Sequence, residues 1–244
     1  DIEFNAIEGL LADQFAGKEK LIAPNVTALK LGVEFIHKNF KYPLDFRVEK
    51  RNLVKDWIMM DGNSAAALGA VYAGCTCVAW YPITPSTSVV EAFMGYAEEL
   101  RVDEKTGKNN FAIVQAEDEL AAIGMVIGAG WNGARSFTAT SGPGVSLMNE
   151  FLGLAYFAEV PAVLIDVQRT GPSTGMPTRT QQSDVMIAAY ASHGDTKHVL
   201  LFPSTPKECF DMTADCFDLA ETLQTPLMLM TDLDLGMNDH MSPP

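Results

Sequence analysis

Four side chains in this 244-residue sequence sit where polar chemistry is costly or unusually restrained. Glu119 opens the segment "ELAAIGMVIGAG", which is almost wholly apolar behind it. A carboxyl group at the head of a buried helix is expensive unless something pairs with it. In a dry setting such a group can hold or transfer a proton. Thr84 lies in "YPITPSTS", where Pro82 and Pro85 restrain the backbone around Ile83 and the threonine hydroxyl. Arg169 follows the apolar run "AVLIDVQ" and opens a long Gly- and Pro-rich stretch, "TGPSTGMPTRTQQSD", which also carries Arg179. A planar guanidinium suits a carboxylate, which it can grip with two parallel hydrogen bonds. Each residue also has a plainer reading. Thr84 or Ser86 could cap a helix, with Pro85 pre-setting its first turn. Glu117 and Asp118 could complement a helix dipole. Arg169 could form a rim ion pair, and Arg179 could be a solvated loop arginine.

The elements that must position these groups are legible as alternating short apolar runs and helical stretches. Strands are expected at 76–81, 111–115, 135–140, 162–168, 198–202 and 226–231. Helices are expected at about 86–100, 118–130, 144–158, 181–191 and 206–222, after a small-residue helix in "GNSAAALGAVYAG". This alternation predicts an α/β fold: a parallel sheet with helices on both faces. Open parallel sheets bind ligands beyond the carboxyl ends of their strands. Pro82–Pro85, Glu117–Glu119, Ser141–Gly144 and Arg169 all fall just after predicted strands, so the sequence gathers them on one edge. The Ser-Gly-Pro-Gly turn lacks the spacing of a phosphate-binding loop.

Composition narrows the function class. Acidic residues outnumber basic ones 31 to 17, a formal charge of −14, with no basic cluster. That argues against nucleic acid, whose binding rests on Lys and Arg neutralising phosphate. No apolar run approaches the roughly 20 residues of a membrane span. Cys75 and Cys77 lie at strand spacing, Cys209 and Cys216 in an expected helix, and none forms a C-x-x-C pair. They read as buried, reduced thiols of a cytoplasmic protein rather than ligands of a cluster. Residues 1–40 look helical, with Val26, Leu29, Val33 and Ile36 near helical period, and 41–60 are charged and extended, a linker. The main domain is expected at 61–240.

"YPITPSTS", "AEDELAAIGMVIGAGWNGARSFTATSGPG" and "GPSTGMPTRTQQSD" together resemble the α subunit of the 2-oxoacid:ferredoxin oxidoreductases, most closely the 2-oxoglutarate branch. The resemblance covers about residues 61–244. "NVTALKLG" resembles the end of the γ-type domain often fused in front, so 1–40 would be its C-terminal tail. Residues 241–244 would begin the linker to a C-terminal domain missing from this chain, a segment of a longer subunit. The resemblance implies a pyrimidine-type thiamine-diphosphate domain. A β subunit would supply the pyrophosphate-type domain, Mg²⁺ and a [4Fe–4S] cluster, in an α2β2 assembly that passes electrons to ferredoxin. It implies that Glu119 bonds the cofactor's aminopyrimidine, that Pro82 and Ile83 lie against the cofactor, and that Thr84 stands beside the reacting carbons. Arg169 would bind the 2-oxo acid carboxylate, and Arg179 the distal carboxylate of a dicarboxylic substrate. The reaction would be 2-oxo acid, coenzyme A and oxidised ferredoxin giving acyl-coenzyme A, CO₂ and reduced ferredoxin, or its reverse. Pyruvate or branched-chain oxidoreductases and transketolase-type enzymes remain as alternatives. So does a non-catalytic scaffolding subunit of the same fold, against which Glu119 and Arg169 together weigh.

Overall fold

The computed structural model describes residues 3–41, 46, 48, 49 and 51–244, and the chain divides into two units, 1–55 and 56–244. Part of the expected 41–60 linker (42–45, 47 and 50) lies outside the described residues. In the first unit, helices α1 (Phe4–Gln14) and α2 (Ile22–Asn39) flank a single 3₁₀ turn, Glu19–Leu21. Neither helix buries a residue; Leu29, Val33 and Ile36, the periodic apolar positions, are exposed.

The second unit is built on six parallel strands: β2 (Cys77–Trp80), β3 (Ala112–Gln115), β4 (Ser136–Thr140), β5 (Ala162–Gln168), β6 (Val199–Leu201) and β7 (Pro226–Asp232). Their order across the sheet is β3-β2-β4-β5-β7-β6. Every residue of β4 and β5 is buried, as central strands covered on both faces require. The chain leaves β2 for its neighbour β3 and returns to β4 on the other side. The order therefore reverses between β2 and β4, opening a crevice at their carboxyl ends. A separate antiparallel pair joins β1 (Ile58–Met60) to β8 (His240–Ser242).

Helices α3 (Gly62–Tyr72), α4 (Thr87–Leu100) and α9 (Pro206–Leu223) bury one face around Phe93, Phe137, Ile165 and Leu229. The alanines of α3 allow close approach: a Cβ on Gly69 would lie 2.4 Å from the Phe210 carbonyl oxygen of α9. Helices α5 (Glu119–Trp131), α6 (Gly142–Leu147), α7 (Asn149–Phe157) and α8 (Val185–Ala189) cover the other face around Ile123, Met148, Leu164 and Met228. A short α10 (Leu233–Met237) follows β7. Side chains of Asp61, Asp118, Thr205 and Asp232 cap α3, α5, α9 and α10. Such caps contribute about 1 kcal/mol each.

Two expected helices come out differently. The 144–158 helix is two, divided at Met148. Asn149 donates its side-chain amide back to the Ser146 carbonyl (3.0 Å) and accepts from the Ser192 backbone (2.7 Å), competing with a continuous helix. The 181–191 helix contracts to the five residues of α8. Gln182 donates to Asp232 (2.7 Å) and the Asp184 backbone to Gln168 (3.1 Å), so the preceding segment is pinned to the sheet edge.

Candidate active site

The β2–α4 loop is tied to its own helix start. The Ile83 carbonyl accepts from the backbones of Ser86 (2.9 Å) and Thr87 (3.1 Å), and the Ile83 N–H donates to Thr87 Oγ1 (3.1 Å). The Thr84–Pro85 peptide is cis. Buried Asn63 of α3 braces it from below, its amide donating to the Pro85 carbonyl (2.9 Å) and to Ser88 Oγ (2.8 Å). Pro82 and Thr84 are left exposed and Ile83 half-buried.

Glu119 is the first residue of α5 and only 8 % exposed. The capping role falls to its neighbour: Asp118 accepts from the Ala121 backbone at 2.7 Å. Glu119 is therefore not the cap, and its carboxylate meets no hydrogen-bond donor among the described residues. Space for it comes from Gly144 of α6. A Cβ there would stand 3.1 Å from Glu119 Cγ and 1.9 Å from Thr140 Oγ1.

Arg169 is 4 % exposed at the end of β5. Its two Nη atoms donate to the carbonyls of Thr84 (2.6 Å) and Thr174 (2.7 Å), and its Nε has no partner. The guanidinium thus clasps the β2–α4 loop to the loop that follows β5. Burial pulls its pKa below the ordinary value, and the neighbouring Asp184 opposes that shift. The 170–183 loop is closed at its neck, where Thr170 donates from its backbone (2.8 Å) and hydroxyl (2.9 Å) to the Arg179 carbonyl. Its tight return needs Gly175 at φ +60, where a Cβ would lie 1.7 Å from the Thr170 oxygen. The Arg179 side chain is exposed, and among the described residues its guanidinium meets only the adjacent Thr178 carbonyl, at 3.1 Å.

An open cleft of about 620 Å³ lies between α6 and this loop, lined by Gly142, Pro143, Arg169, Thr170, Ser183 and Asp184 among others. Of the residues singled out from sequence, Arg169 lines that cleft and reaches the Thr84 backbone, whereas Glu119, Thr84 and Arg179 are not among its walls. Three polar residues escaped the sequence reading. Asn63 braces the proline loop. Asp166 sits fully buried in β5, and Asp184 packs against Gly142. Asp166 was visible as an acid inside an apolar run; Asn63 and Asp184 carry no such mark.

The pyruvate flavodoxin/ferredoxin oxidoreductase, thiamine diphosphate-binding family matches residues 68–240, well over half of the chain. The chain belongs to that family. Among its relatives, the 2-oxoglutarate synthase subunit KorA of Methanothermobacter thermautotrophicus is 48% identical over 177 residues, 72% of this chain and 45% of that protein. The 2-oxoglutarate oxidoreductase subunit KorA of Mycobacterium tuberculosis is 34% identical over 238 residues, 94% of this chain and 35% of that protein. A solved structure of 2-oxoglutarate:ferredoxin oxidoreductase from Magnetococcus marinus, with 2-oxoglutarate, coenzyme A and succinyl-CoA bound, superposes with a TM-score of 0.86 at 38% identity. It covers all of this chain and 41% of that one. The chain thus spans less than half the length of these relatives. Among the described residues, no helix is long and apolar enough to cross a membrane.

Proposed function

We propose that this chain is the pyrimidine-type domain of the α subunit of a cytoplasmic 2-oxoacid:ferredoxin oxidoreductase. The substrate is 2-oxoglutarate, converted with coenzyme A and oxidised ferredoxin to succinyl-coenzyme A, CO₂ and reduced ferredoxin, or formed in the reverse direction. The observation that carries this reading is Glu119, a buried carboxylate with no donor of its own at the head of an apolar helix. That residue fits an aminopyrimidine ring, because a carboxylic acid in a water-poor setting can hold a proton on a ring nitrogen. Thiamine diphosphate, when bound, supplies the stabilised carbanion that decarboxylation of a 2-oxo acid needs. Glu119 would hold the proton on the aminopyrimidine nitrogen, and Pro82 and Ile83 would bound the ring. Thr84 presents its hydroxyl on the exposed tip of the same loop. Arg169 supplies positive charge for the substrate's 2-oxo carboxylate while holding the Thr84 loop in place. Arg179, whose side chain meets no carboxylate among the described residues, is the cation for the distal carboxylate. The diphosphate, Mg²⁺ and a [4Fe–4S] cluster belong to a β subunit, in an α2β2 assembly that passes electrons to ferredoxin.

The test is Glu119→Gln in the assembled enzyme. The change keeps size and fold but removes the acid, and general acid–base groups contribute about 10²–10⁴-fold. Viologen reduction driven by 2-oxoglutarate should fall by that range with the melting temperature unchanged. Activity within about threefold of the unmodified enzyme would reduce Glu119 to a helix-start acid.

A further inference from the structure

Asp166 has no part in the function proposed above, yet its setting is a costly one for a carboxyl group. It is fully buried in β5, and neither carboxylate oxygen has a hydrogen-bond partner. Strand register puts it opposite Thr140 of β4 and Met230 of β7, on the face covered by α5 to α8. Thr138, one step back on that face, also leaves its hydroxyl unpartnered, and Thr140 donates only a long bond to the Ser141 carbonyl (3.5 Å). Gln168, the next residue along the same face, is fully committed. Its carbonyl accepts from the Asp184 backbone (3.1 Å), and its amide donates to the Thr231 carbonyl (3.1 Å).

Asp184 is the second carboxylate. Ser183 donates to its Oδ1 (3.3 Å), its other oxygen is unpartnered, and both lie under 3 Å from where a Gly142 Cβ would stand. It attracts Arg169 without closing a direct ion pair. Asp184 is the charged group that acts on Asp166, and Arg169 acts in turn on Asp184. From the other elements, Glu119 of α5 reaches only the Gly144 side of Thr140, and Asp232 of β7 is occupied by Gln182 and by capping α10.

We propose that Asp166, Asp184 and Arg169 form one buried assembly in which Asp166 is a neutral acid and Asp184 is the arginine's single counter-charge. Ionisation of Asp166 then weakens carboxylate binding at Arg169. Two carboxylates against one guanidinium would leave a net buried negative charge beneath a site built for an anion. An unpaired buried carboxylate neutralises rather than persist. Burial first, and Asp184 second, push the Asp166 carboxyl well above its ordinary range. Burial raises Asp184 as well, but the Ser183 hydroxyl donates to it (3.3 Å) while no donor reaches Asp166, so of the two Asp184 is the better placed to carry the charge. The kinetic half of the proposal rests on Arg169 binding a 2-oxo acid; the protonation half does not.

The experiment is infrared spectroscopy of the assembled protein across pH, with KM and kcat for 2-oxoglutarate measured in parallel. A protonated carboxyl stretch, above the amide region, is expected at neutral pH and absent in Asp166→Asn. As alkaline pH removes the band, KM should rise by up to tenfold per pH unit while kcat holds, and Asp166→Asn should show no such rise. Asp184→Asn removes the coupled charge and should move loss of the band to lower pH, an assignment that stands even if Asp166→Asn fails to fold. Absence of the band at neutral pH overturns the proposal, as does its appearance only after bound cations are stripped. Loss of the band with KM unchanged overturns the link to Arg169. An intact band in a protein that turns over no 2-oxo acid upholds the neutral acid, overturns that link and refutes the proposed function.

Discussion

Gly144→Ala adds one methyl group where α6 crosses the end of β4, and its cost can be worked from distances. The new Cβ would stand 1.9 Å from Thr140 Oγ1, 3.0 Å from Thr140 Cβ and 3.1 Å from Glu119 Cγ. The first contact is about 1 Å short of any tolerable approach, so rotating one side chain does not relieve it: a β-branched residue in a strand has few rotamers to offer. Helix α6 must lift from the sheet. Overpacking of this kind costs about 1–3 kcal/mol. At 2 kcal/mol, a domain of this size melts roughly 4–8 °C lower. The same displacement reaches Glu119, and a misplacement of about 1 Å can cost on the order of 10²-fold in rate. Turnover should therefore fall steeply although no titratable group has changed. Thr140→Ala in the same chain deletes the offending hydroxyl and leaves the contact at 3.0 Å. The double variant should recover most of the lost stability, a coupling measured by a double-mutant cycle in urea. A Gly144→Ala protein with native stability and rate refutes the packing argument. Strict additivity in the cycle would place the strain away from Thr140.

Arg169→Lys should raise KM for every 2-oxo acid tested, because lysine's single ammonium cannot span both the Thr84 and Thr174 carbonyls and lacks the planar fork. An effect confined to one substrate in steady-state kinetics would move Arg169 from the shared carboxylate to a side-chain pocket. Arg179→Met should weaken 2-oxoglutarate far more than pyruvate, since a site that pairs a charge rejects analogues lacking it. Equal losses would assign the distal contact elsewhere. Burial pushes the Cys75 thiol far up and those of Cys209 and Cys216 up to about 12, so all three should resist iodoacetamide at pH 8 until the chain unfolds. Rapid labelling of the native protein, read by mass spectrometry, would contradict their burial.

The sheet was legible because each strand is a compact apolar run flanked by turn residues, as in "CVAW" or "PLMLMT". The β1–β8 pair was not, because its partners lie at opposite ends of the unit and each run is only three residues long. The split at Met148 and the shortening of α8 escaped for a related reason. They depend on Asn149 and Gln182 reaching partners far away in sequence. At the site, Glu119 stood out as an acid heading an apolar helix. The clasp made by Arg169 did not, because its acceptors are backbone carbonyls, which leave no trace in the identity of residues 84 and 174.

That anonymity has an evolutionary consequence. A tether that grips main-chain oxygens is indifferent to the side chains hung on either segment. The side chains at positions 84 and 174 can be exchanged without removing either acceptor of the anchor that fixes both segments. Side-chain variation and scaffolding are thereby uncoupled at these two positions, and a lineage can redecorate both segments while keeping the hand that holds them.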